Sequence, residues 1–148
     1  MAEIGRVIKS LLRRDRFTLA YEKLSSSDYK KHLDTVEFDN LRAKIAEGYL
    51  HHGAMDKAYD LASASAKRSG EYVPLAGWIA GLVSWGHGQH DKAAQYFSLP
   101  ARSRYGSSWT QSAGSFWAAR ANMRAGRASQ ARGWLRESMT PPRPFYGL

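Results

Sequence analysis

Two arginines and a tyrosine sit in a short basic stretch just before a tryptophan: Arg102, Arg104 and Tyr105, then Trp109. An aromatic ring covers the apolar face of a sugar, and a guanidinium binds a carboxylate through paired hydrogen bonds, so this cluster could hold both parts of an anionic carbohydrate. Other chemistry is poorly served. The 13 acids form no pattern that reads as a catalytic pair, such as glycoside cleavage needs. His51 and His52 are neighbours, and adjacent residues point to different sides of a helix; His87 and His90 bracket a turn. All four read as solvated or helix-end histidines rather than convergent metal ligands. Zero cysteines exclude disulfides, zinc thiolates and a thiol nucleophile. There is no Gly-x-Ser-x-Gly elbow and no phosphate-cradling glycine loop, since Gly77, Gly81, Gly86 and Gly88 are scattered through one apolar segment and its end. No cofactor and no metal site is expected.

The 148 residues carry a formal charge of +9, which favours polyanionic partners without selecting one. Lys9, Arg13, Arg14 and Arg16 cluster early, Arg102 and Arg104 flank a loop, and a third group runs from Arg120 to Arg143. Each group also reads as a solvated helix face. Nothing beyond charge favours nucleic acid, because the aromatics fall mostly at helix-core spacing rather than between arginines as a stacking platform. Trp78, Trp85, Trp117 and Trp134 are accordingly expected in packing, with Trp109 the exception. No apolar run reaches the roughly 18–20 residues of a membrane span. Glu3 and Arg6 interrupt the N-terminus, which does not read as an intact export signal.

What must position these residues is a repeated unit. Asp15/Ala20/Leu24, Gly53/Ala58/Ala62, Gly88/Ala93/Phe97 and Gly126/Ala131/Leu135 share one spacing, and their alanines lie 38, 35 and 38 residues apart. Self-similarity at that period marks stacked supersecondary units. Ile4, Val7, Ile8, Leu11 and Leu12 line one helix face, followed by a short helix from Phe17 to Leu24. Ser25 to Asp28 reads as a stop and cap, and 29–36 as the least regular stretch. Helices are then expected over 37–52, 55–67, 75–85, 91–99, 109–124 and 129–138, with Pro100 ending the fourth of these six and 101–108 forming a basic loop. Ala46, Gly81 and Ala119, seven places before their turns, let paired helices approach closely; Ile8 stands at that place in the first unit. The three prolines in 140–144 cannot continue a helix.

The layout resembles the tetratricopeptide repeat, although its period exceeds that family's 34 residues. The expected fold is all-α, with helical hairpins stacked into a right-handed superhelix. One domain of four units is expected, about 4–24, 37–67, 74–99 and 109–138, with a Pro-rich exit at 140–148.

Longer strings point further. Leu75-Ala76-Gly77-Trp78-Ile79-Ala80, Ala93 to Phe97, Ser115-Phe116-Trp117-Ala118-Ala119-Arg120-Ala121, Ala131-Arg132-Gly133-Trp134-Leu135 and Pro144-Phe145-Tyr146-Gly147-Leu148 occur in the order found in soluble lytic murein transglycosylases. The chain resembles the α-superhelical region of that family from about residue 40 to 148. The resemblance implies a periplasmic protein working on peptidoglycan, with a lysozyme-like catalytic domain following covalently. The family's Glu-Ser-x-Phe, Gly-Leu-Met-Gln and Ala-Tyr-Asn-Ala-Gly segments are not in this sequence, so the resemblance implies a scaffold rather than the enzyme. Glu137-Ser138 resembles the catalytic dipeptide of such enzymes, yet it ends a repeat helix beside a proline-rich stretch and is expected to be a solvated or capping glutamate. Peptidoglycan stems carry carboxylates, so the resemblance implies contacts from Arg102, Arg104, Tyr105, Trp109 and Arg120. Arg120 has a structural reading too, as a partner for helix-end carbonyls or an acid. The rival is a free-standing adaptor holding a protein or peptide in its groove.

Overall fold

The computed structural model describes residues 2–26, 30–31, 33–68 and 70–139, with side chains from Gly5 onward. The proposed cap at Asp28, the Ile4 side chain, the proline-rich stretch and the Phe145-Tyr146-Gly147-Leu148 segment lie outside these residues. Among the described residues the protein is all-α, with eight helices and no strand. They are α1 (Ala2–Arg13), α2 (Phe17–Ser25), α3 (Thr35–His51), α4 (Met55–Ala66), α5 (Val73–Gly86), α6 (His90–Arg102), α7 (Ser108–Arg124) and α8 (Ala128–Met139). Each packs on the next, and α3 also packs on α1 and α5.

The repeated spacing has one cause. Asp15, Gly53, Gly88 and Gly126 all adopt positive φ, between 58° and 82°, the left-handed conformation that ends helices and that glycine adopts without penalty. Their amides donate to Leu12, Leu50, Trp85 and Met123, and the amides one residue on donate to Leu11, Tyr49, Ser84 and Asn122 at 2.8–2.9 Å. That pair of bonds caps the open carbonyls of the first helix. The next carbonyl, of Arg16, Ala54, Gln89 or Arg127, accepts from Ala20, Ala58, Ala93 or Ala131 at 2.9–3.0 Å and starts the second helix. All four alanines are buried, so one small residue a turn into each second helix lets the hairpin close. Asp fills the first turn because Asp tolerates this conformation better than most side chains. Between hairpins the chain enters α3 differently: Asp34 is the cap, its Oδ1 accepting from the Glu37 amide at 2.8 Å.

Helix α6 runs on through Pro100 to Arg102, whereas the sequence predicts a stop at Leu99. Pro100 lacks the N–H that would bond the Tyr96 carbonyl. That carbonyl lies against Gly77 of α5, where a Cβ would meet it at 2.8 Å. On the opposite side a Cβ on Gly114 of α7 would stand 2.7 Å from the Ala101 nitrogen. Glycine on both neighbours thus brings three backbones together around α6. Phe97, fully buried, fills the space left by Gly81 and touches Trp78 and Trp117 at centroid distances of 5.5 and 5.8 Å. Helices α3, α5, α7 and α8 also begin one or two residues before their predicted starts, while α3 and α4 each end one residue early; with α6 extended, the basic loop narrows to 103–107.

A polar network joins α3 to α4. Buried Asp39 accepts from Arg42 at 2.8 Å and Arg68 at 3.0 Å, while Ser65 donates to the Asp39 carbonyl and accepts from Arg42 Nε. Nearby, the Tyr59 and Tyr96 hydroxyls meet at 3.2 Å with their rings edge to face. Burial first, then the hydrogen bond and charge of Tyr59, push the Tyr96 phenol from its ordinary 10.0 up to about 12. The unfolded phenol loses its proton first as pH rises. The contribution of Tyr96 to stability is therefore intact below pH 10 and declines towards pH 12. Denaturant melts across that range should show the decline, and Tyr96→Phe should make it shallower.

Candidate functional site

The loop between α6 and α7 is held by its own polar groups. Ser103 accepts from the Tyr105 amide at 3.0 Å, and its carbonyl accepts from Gln111 at 2.8 Å. Ser107 caps α7 by accepting from the Thr110 amide at 3.1 Å. With the loop anchored at both ends, Trp109 stands in the first turn of α7 with 74 % of its surface exposed, and Tyr105 with 53 %. Exposure of a large aromatic to that degree is unusual on a packed helix, and here it faces a groove.

That groove, about 330 Å³, runs between the starts of α5 and α7. Pro74, Leu75 and Trp78 form one wall, Trp109, Thr110 and Ala113 the other, and Glu71 and Tyr105 stand at its edge. A second groove of about 360 Å³ lies on the other side of Tyr105, with Arg68, Arg102 and Arg104 beside Val73 and Leu99. The Arg104 guanidinium lies over the Tyr105 ring at 5.2 Å and donates to its hydroxyl at 3.3 Å. Arg102 lies over Trp134 at 4.5 Å. The structure therefore brings Arg102, Arg104, Tyr105 and Trp109 into two adjoining grooves with Tyr105 as the shared wall.

Arg120 is elsewhere on α7. Among the described residues it bonds neither an acid nor a helix-end carbonyl, the partners its structural reading expects, but lies over Trp117, Trp85 and Phe116 at 4.7, 5.2 and 5.9 Å. Arg124 joins it over Trp85 at 5.7 Å. The expectation that aromatics and arginines keep apart is thus corrected. Phe116 and Trp117 precede Arg120 by four and three residues, the distances at which helix side chains meet. Trp85 comes from the preceding hairpin. Trp78, Trp85, Trp117 and Trp134 do pack on the α6–α7 core as expected, while staying partly open. Among the described residues, Arg102, Arg104, Arg120 and Arg124 have no ion-pair partner.

A third groove of about 490 Å³ separates α1 from α3, with Lys9, Arg13, Lys44, His51 and His52 around Tyr72. Lys44 is already paired with Glu47 at 2.9 Å. His52 sits edge-on to Phe17 and 4.0 Å from Asp15, and His90 sits edge-on to Trp85. Among the described residues no group of three His, Asp or Glu side chains could hold a metal ion, and no helix is long and apolar enough to cross a membrane. Glu137 is exposed near the end of α8 and lines none of these grooves. Sequence reasoning missed Arg68, Glu71 and Arg124. Only Arg124, one helical turn after Arg120, had a local pattern that could have revealed it.

No protein-family model matches the chain, and no curated protein is significantly similar to it.

Proposed function

We propose that this chain is a non-catalytic scaffold of the soluble lytic murein transglycosylase type, binding peptidoglycan strands in the periplasm beside a covalently attached lysozyme-like domain. In this reading the hairpins stack as a tetratricopeptide-like, right-handed superhelix forming a single domain. Four turns with the same hydrogen bonds and the same buried alanine support the repeat, and the strings from Leu75 to Leu135 support the family. The observation that carries the binding role is Trp109, three-quarters exposed over a groove next to unpaired Arg102 and Arg104. An exposed indole suits a sugar face, and unpaired arginines suit the stem carboxylates.

Co-sedimentation of the purified chain with sacculi tests this. Retention should fall between about 10 mM and 1 M salt, over which the screening length drops from roughly 30 to 3 Å. Trp109→Ala should weaken binding roughly two- to tenfold, the equivalent of the ~0.5–1.5 kcal/mol an aromatic contact contributes. The digest should contain no anhydromuropeptides. Indifference to sacculi together with capture of a peptide would favour the adaptor instead.

A further inference from the structure

Arg120 and Arg124 rest on aromatic rings, and both are exposed. Stacking uses the face of a guanidinium and leaves its N–H edge for a planar anion. No described acid occupies that edge. Trp109, Phe116 and Arg120 are spaced at i, i+7 and i+11, so they line one face of α7. Helical rise sets Arg120 about 16 Å from Trp109 along the axis. An extended peptide of five residues spans at most about 17 Å.

We propose that Arg120 and Arg124 bind the terminal carboxylate of a stem peptide whose sugar lies on Trp109 and Tyr105. The inference rests on the peptidoglycan reading and adds to it a carboxylate site at the far end of the same helix face. Two unpaired cations against one carboxylate give the charge complementarity. The partly exposed Phe116 lies between the two ends and supplies apolar contact for the peptide. The ligand is therefore a muropeptide with a full-length stem and a free terminus, rather than a bare glycan.

Titration calorimetry with a disaccharide pentapeptide, its C-terminal amide and a disaccharide dipeptide tests this on the whole chain. The free acid should bind about five- to tenfold more tightly than the amide, as expected for a charge-assisted bond at an exposed site. The dipeptide, which reaches neither Phe116 nor the arginines, should bind no more tightly than the amide. Arg120→Met with Arg124→Met keeps unbranched side chains over the rings, and should remove the preference for the acid over the amide. Trp109→Ala should weaken all three ligands. Equal affinity for acid and amide would overturn the carboxylate site and leave the peptidoglycan reading standing. Failure of all three to bind would overturn both.

Discussion

Phe97→Ala is expected to cost about 3–5 kcal/mol, the range for removing a large buried aromatic. A whole domain of this size has only about 5–15 kcal/mol of stability. Phe97 is fully buried and is the largest such side chain among the described residues. Its ring touches Trp78 of α5 within its own hairpin and Trp117 of α7 in the next. The void cannot close readily, because α6 is already fixed on both sides by backbone contact at Gly77 and Gly114. Urea melts should show a lower midpoint, with Phe97→Leu giving a smaller loss. Gly81→Ala, whose Cβ would sit 2.7 Å from the Phe97 ring, should destabilise alone and be partly tolerated with Phe97→Leu. Additive losses in that double mutant would contradict the packing account.

The second large effect belongs to Asp39. Its side chain is 8 % exposed and serves two arginines, so Asp39→Ala removes the anion and leaves Arg42, 17 % exposed, without its counter-charge. Breaking one side of a buried pair costs about 3–5 kcal/mol. Arg68 is half exposed and regains water, which puts the expected loss nearer to about 2–3 kcal/mol. Ser65, which accepts from Arg42 Nε, ties the loss to α4. Thermal melts would show it, and Asp39→Asn, which keeps one acceptor oxygen for Arg42, should cost less. Because Arg68 also lines the basic groove, releasing it should raise the salt sensitivity of anion binding there.

What could be read in the sequence was the part governed by local hydrogen bonding. Asp15, Gly53, Gly88 and Gly126 announce themselves because the turn needs a left-handed residue, and the alanine five places on because the second helix must come close. Pro100 misled for the opposite reason. Its effect depends on where it falls within α6 and on the glycine contact that shelters the Tyr96 carbonyl, neither of which is local. Leu24, Ala62 and Phe97 are fully buried, yet Leu135, the fourth of that series, is 42 % exposed. No helix after α8 is described to cover it, and no pattern within a repeat announces whether a neighbour will. Trp109 and its loop could be picked out from residue types alone. Arg120 over Trp85 could not, because it needs two hairpins in register. Arg68 entered the basic groove through the α4–α5 connection, about 34 residues before Arg102.

The proposed binding face from Trp109 to Arg124 is tested most directly by indole N–H spectra of the labelled chain, which has five tryptophans, during titration with soluble, uncrosslinked peptidoglycan strands. The account predicts that Trp109 shifts most, that Trp85 under Arg120 and Arg124 follows, and that both changes saturate together and weaken with salt. Shifts confined to other tryptophans, or none at concentrations where sacculi retain the protein, would contradict it.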